Sequence, residues 1–121
     1  MSRAVDLKEA VTLAPYQKIS EEALGDYVRS ACVAFGWRFL WLRKLEHSSD
    51  GILDLLLIPI RNTERRHILH RELKGYDKNG RLGKLTPRQS ETIQEINDAS
   101  GDARKWEPAD WFTGMIQEEL R

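Results

Sequence analysis

The chain has 121 residues, room for one domain with a single core and not for two. Hydrophobic residues make up 40% and charged residues 31%, a globular balance that excludes a disordered chain. A formal net charge of zero argues against tight, purely electrostatic nucleic-acid binding, and the longest apolar run, Ile52–Ile60, is interrupted by Asp54 and Pro59 and is too short to span a membrane.

The opening residues, MSRAVDLKEAVTLAP, contain no apolar signal core, so export is not expected. Cys32 stands alone in an apolar helical pattern, which predicts a buried small hydrophobe in a reducing, cytoplasmic setting. Residues 1–17 have weak periodicity and read as a loose arm or a short extra helix, with the domain proper running from 18 to 121. Ser20 is a candidate N-cap, Glu21 and Glu22 suit the first turn, and Leu24, Tyr27, Val28, Ala31, Cys32 and Phe35 make a helical stripe that Gly36 ends. Glu21 falls on that inward stripe, whereas Glu22 is rotated away. An acid at the end of a buried stripe needs a partner.

Trp37–Leu45 predicts a first strand, and residues 47–51 a turn. Ile52–Ile60 and Arg66–Lys74 predict a second and a third strand, joined by a polar connection as an antiparallel hairpin. A hairpin centred near residues 62–64 brings Asp54 opposite Glu72–Lys74. Gly75–Leu85 is expected to be a long loop hinged at Gly75, Gly80 and Gly83. Thr86-Pro87-Arg88-Gln89 then starts a helix twice over, with Thr at the N-cap, Gln three residues later and Pro at the first helical position. Ile93, Ile96 and Ala99 point that helix inward, and Ser100-Gly101 stops it. Ala103–Trp106 is a short strand, and a last helix runs from Pro108 towards Leu120. The order helix, three strands, helix, strand, helix places the chain in the α/β or α+β class, with a mixed sheet flanked by helices.

Charge is unevenly placed. Residues 61–88 are rich in Arg and Lys, Arg71 among them, while residues 89–121 are predominantly acidic, so an anionic partner would meet the middle of the chain. In HRELKG, alternation puts His70, Glu72 and Lys74 on one strand face and Leu69, Arg71 and Leu73 on the other. Alone, Glu72 and Lys74 read as a solvated ion pair. With Asp54 opposite, they become a candidate metal-assisted phosphodiesterase site. Asp54 and Glu72 would hold Mg²⁺ or a similar hard cation, with the Leu73 carbonyl and phosphate oxygens completing its shell, and Mn²⁺ substituting. Lys74 would orient the attacking water or stabilise developing charge, and Glu21 would hold a second cation or a bound water. Gln89 keeps two readings, a capping-box residue or a site residue. Lys78, Arg81, Lys84 and Arg88 suit phosphate contacts, as does His70, for which an ordinary strand histidine is the competing reading. His47, His67 and Cys32 show no zinc-ligand spacing with it.

An Asp ending one strand and Glu-x-Lys in the next is the layout of the PD-(D/E)XK nucleases. GILDLLLI, HRELKG, LTPRQSETIQEI and ARKWEPADW resemble, in order, the segments of the small stand-alone virus-type replication-repair nuclease domain (VRR-NUC) of that superfamily. Gly36-Trp37, Gly51–Leu55, Glu72–Lys74, Leu85–Gln89 and Trp106–Trp111 occupy the matching places, over roughly residues 20–112. Leu53 stands where the family has a Pro before its catalytic Asp. The resemblance implies a restriction-endonuclease-like core and divalent-metal-dependent cleavage of DNA phosphodiesters in viral or mobile-element replication and repair. It implies a symmetric homodimer suited to branched DNA such as four-way junctions or flaps, acting in a bacterial host's cytoplasm for a phage-encoded chain. The Leu53 departure leaves a second expectation, a non-catalytic DNA-binding module of the same fold.

Overall fold

The computed structural model describes residues 12–42, 51–60 and 66–121. The chain is α+β, a four-stranded mixed sheet in the order β1-β2-β3-β4 with flanking helices. A 3₁₀ turn, Pro15–Gln17, precedes helix α1, Glu21–Phe35. Strands β1 (Trp37–Trp41), β2 (Leu55–Pro59) and β3 (Leu69–Leu73) are followed by helix α2, Pro87–Asp98. Strand β4 (Ala103–Trp106) and two short helices, α3 (Pro108–Phe112) and α4 (Met115–Leu120), complete the chain. Strands β1, β2 and β3 pair antiparallel in turn, and β4 joins β3 in parallel through the α2 crossover.

Local chemistry explains the boundaries of α1. The Ser20 hydroxyl accepts from the Ala23 N–H at 3.1 Å, and Gly36 closes the helix at φ 78°, a left-handed conformation that favours glycine. Leu24, Val28, Ala31 and Cys32 from α1 meet Leu55, Leu57, Leu69, Leu73 and Trp106 from one sheet face and Ile116 and Leu120 from α4. That face holds the core. Burial pushes the Cys32 thiol up to about 12, in keeping with a packing role. The Trp37 indole N–H donates to the Leu120 carbonyl at 2.8 Å, fastening the C-terminal helix to β1.

The structure departs from the sequence expectations at several places. Strands β2 and β3 are shorter than the segments that announced them, and residues 43–45 of the expected first strand lie outside the described residues; Leu42 N–H to Asp54 O (2.7 Å) and Lys74 N–H to Trp106 O (2.9 Å) prolong the pairing by single bonds. Residues 43–50 and 61–65, which include the first turn and most of the hairpin connection, lie outside the described residues, as do residues 1–11 of the expected N-terminal arm. The single helix expected after Pro108 is two, because Gly114 adopts φ 83° between them. Helix α2 buries no residue fully: Ile93 and Ile96 are half-covered and Ala99 is exposed. It lies over the second sheet face, beside β4, and not in the core. Among the described residues, no helix is long and apolar enough to cross a membrane.

Candidate active site

The β2–β3 register pairs Leu55 with Arg71, so Asp54 lies one step further on, across from Glu72. Two hydrogen bonds lock this juncture. The Leu73 N–H donates to Asp54 Oδ2 at 2.9 Å, and the Asp54 N–H donates to Glu72 Oε1 at 3.1 Å. Each acid is thus held by the backbone of the other's strand. Lys74 Nζ sits 3.3 Å from Glu72 Oε2, and the Gln89 amide donates to the same oxygen at 3.0 Å. Asp54, Glu72 and Lys74 are 7%, 2% and 8% exposed, so these charges are withdrawn from water and are not a solvated surface pair. Burial, followed by the charge of Asp54, raises the Glu72 carboxyl to about 7, with Lys74 opposing.

Gln89 forms the expected capping box and also touches Glu72. Its Oε1 accepts from the Thr86 N–H at 3.0 Å and its backbone N–H donates to Thr86 Oγ1 at 3.1 Å, completing a capping box. Its amide nitrogen remains directed at Glu72. The start of α2 therefore orients the buried acid.

Gly75 brings the start of α1 to the same place. A Cβ at Gly75 would run into the backbone of Ser20 and Glu21, and the Tyr76 N–H donates to the Ile19 carbonyl at 2.8 Å. Glu21, the first residue of α1, is accordingly set beside the end of β3 and is half-buried, while Glu22 is exposed. Among the described residues, no group of three or more His, Cys, Asp and Glu side chains clusters as a metal site. The donor set nevertheless fits a hard cation: two adjacent carboxylates, one carrying the raised proton affinity that a bound positive charge would relieve.

The segment after Gly75 is a loop, as expected, but one closed on itself by hydrogen bonds. Tyr76 bridges Leu82, Asp77 Oδ1 accepts from the N–H groups of Asn79 (2.8 Å) and Arg81 (3.0 Å), and the Gly83 N–H returns to the Gly75 carbonyl at 3.0 Å. The Asp77 side chain satisfies the turn from within, so the segment is a closed hairpin. It presents Lys78 and Arg81 to solvent, with Lys84 and Arg88 exposed nearby. Arg88 pairs with Glu91 at 3.0 Å on the helix surface, an exposed pair of little energetic weight.

Arg71, one of the basic residues of the middle segment, is not available to an anionic partner. It is fully buried on the core face, donating to the Asp102 carbonyl at 2.8 Å and to Glu119 Oε1 at 2.8 Å, with its guanidinium 4.9 Å from the Trp106 ring centre. The inward alternation Leu69-Arg71-Leu73 was the available signal that this charge needed acids; which acids it finds is set by tertiary structure. Trp106 is core, and Trp111 stacks on Tyr27 at 5.3 Å between ring centres. His70 is half-buried on the Glu72 face, and burial followed by the Arg71 charge lowers its proton affinity. It lines an open groove of about 510 Å³ with Ile58, Pro59, Ile68 and the Ser100–Gly101 turn.

Comparison of the chain with family models, with curated proteins and with solved structures finds no match.

Proposed function

We propose that this chain is a divalent-metal-dependent DNA endonuclease of the PD-(D/E)XK type, with a VRR-NUC-like core. The observation that carries the reading is a buried Asp54–Glu72 carboxyl pair, with Glu72 raised to about 7 and an ammonium 3.3 Å away. A hard cation bound there supplies Lewis-acid charge to a phosphodiester and to the water that attacks it. Asp54 and Glu72 bind it, and the Leu73 carbonyl and Glu21 are the nearby candidates to complete its shell. Lys74 presents a compact positive charge to the phosphate as the P–O bond breaks. Gln89 holds Glu72 in orientation through the 3.0 Å amide bond. Lys78, Arg81, Lys84 and Arg88 meet the flanking phosphates. The sequence resemblance adds branched DNA as the substrate class and a homodimer as the working unit.

The test is a cleavage assay on labelled duplex, single-strand, flap and four-way-junction DNA with Mg²⁺, Mn²⁺ or EDTA, run beside Lys74→Ala. Metal-dependent cutting that disappears in the variant is the expected result. Binding without cutting under every metal would replace this reading with the non-catalytic module.

A further inference from the structure

The face of β3 that carries Glu72 continues past the acid pair. His70 lies two residues back on that face, about 7 Å along the strand, and pairs with Leu56 across the sheet. Helix α2 runs beside this track. Gln89 at its start touches Glu72, and the Ser100–Gly101 turn after its end closes the far side of the His70 groove. Gly101 packs closely on Ile96, where a Cβ would meet the Ile96 carbonyl at 2.9 Å, and Ser100 holds φ 68°.

The groove has the chemistry of a base site. Its volume of about 510 Å³ is that of a small-ligand pocket. Ile58, Pro59 and Ile68 supply apolar walls and His70 an aromatic ring on which an unstacked base can pack. Among the described residues, none that lines it is acidic. Its rim carries Arg66, fixed by bonds to the carbonyls of Gly36 (3.3 Å) and Leu120 (3.2 Å), while His67 is tied to Asp102 at 2.8 Å.

We propose that this groove takes the base of one unpaired nucleotide adjoining the phosphate held at Asp54 and Glu72. The inference rests on the nuclease reading and deepens it: the substrate has an unpaired nucleotide beside the scissile bond. A continuous duplex keeps that base stacked and paired, whereas a flap or a junction releases it.

The experiment is a binding scan by fluorescence anisotropy with Ca²⁺ in place of Mg²⁺. A labelled single strand carries one abasic site, moved a nucleotide at a time. Wild-type protein is expected to lose about tenfold in affinity at one position, the scale of one lost base-stacking contact. In Ile68→Glu, a change at a 46% exposed wall residue, that positional sensitivity is expected to vanish, with Ile68→Val retaining it. Matching thermal melts establish that each variant is folded. No sensitive position in wild type, or the same position still sensitive in Ile68→Glu, overturns the proposal. Hydrolysis of bis(p-nitrophenyl) phosphate by wild type with Mn²⁺ reads the nuclease assignment separately. If neither that diester nor DNA is cut while the abasic scan holds, the nuclease reading fails and base binding by the groove stands.

Discussion

Strand β3 carries two buried charge clusters on its opposite faces, and they are balanced differently. On the core face, one cation, Arg71, meets Asp102 at 3.0 Å and Glu119 at 2.8 Å, with Arg104 3.4 Å from Glu119 and His67 2.8 Å from Asp102. Although burial works to raise it, hydrogen bonds and charge from His67 and Arg71 hold the Asp102 carboxyl below the usual range. On the other face, among the described residues, Lys74 pairs with Glu72 at 3.3 Å beside the Asp54 carboxylate, and Glu72 is pushed up to about 7. The first cluster is matched and fastens β3 to β4 and α4. In the second, burial and the charge of Asp54 outweigh Lys74 at Glu72, and the proposed metal site rests on that imbalance.

This contrast predicts opposite phenotypes. At the acid pair, Asp54→Asn keeps an oxygen for the Leu73 N–H but removes the charge that would meet the proposed cation. Cleavage is expected to fall by about a thousandfold, with little loss of thermal stability, read by turnover and melting on the same preparation. An active Asp54→Asn enzyme would sink the assignment of this acid. At the matched cluster, Arg71→Met strands the buried faces of Asp102 and Glu119. Stability is expected to fall by about 3–5 kcal/mol, measured by urea unfolding, and a near-neutral result would show that the network adds nothing over apolar packing.

Much of this was legible before the structure. Helix α1 announced itself by Ser20, its stripe and Gly36, and α2 by Thr86, Pro87 and Gln89, because caps are local chemistry. The Asp54–Glu72 opposition followed from alternation and hairpin length. The acids that answer Arg71 were not legible, since Glu119 lies 48 residues away and reaches it only through the packing of α4. The hairpin after Gly75 was hidden for another reason: glycines mark both hinges and tight turns, and Asp77 decides for the turn by bonding backbone two and four residues on. The depth of Glu72 was also hidden, because an ion pair written in sequence carries no burial.

Gly75 couples the two halves of the site and gives a third, smaller effect. Any side chain there meets backbone atoms of Ser20 and Glu21, which cannot rotate away. Gly75→Ala is expected to lower stability by about 3 kcal/mol and to weaken cleavage by displacing the start of α1. A fully stable, fully active variant would mean that α1 does not need its close seat at the strand end.

The smallest effect separates frustration from mere burial. The folded protein binds the Glu72 proton more tightly than the unfolded chain does, with values of about 7 and 4.5. The stabilisation from that proton is complete below pH 4.5 and is lost as pH rises through 7. Glu72→Gln carries no such titration. Without divalent metal, the variant should therefore gain on wild type between pH 5 and 8 by on the order of 1–2 kcal/mol, read as a widening difference in melting behaviour. Added Mg²⁺ should close that gap by stabilising the wild type alone, since a bound cation replaces the proton. A gap that opens with pH but ignores Mg²⁺ would make Glu72 a buried acid without a cation to receive. A gap that closes would join the carboxyl pair to metal without reference to any DNA substrate.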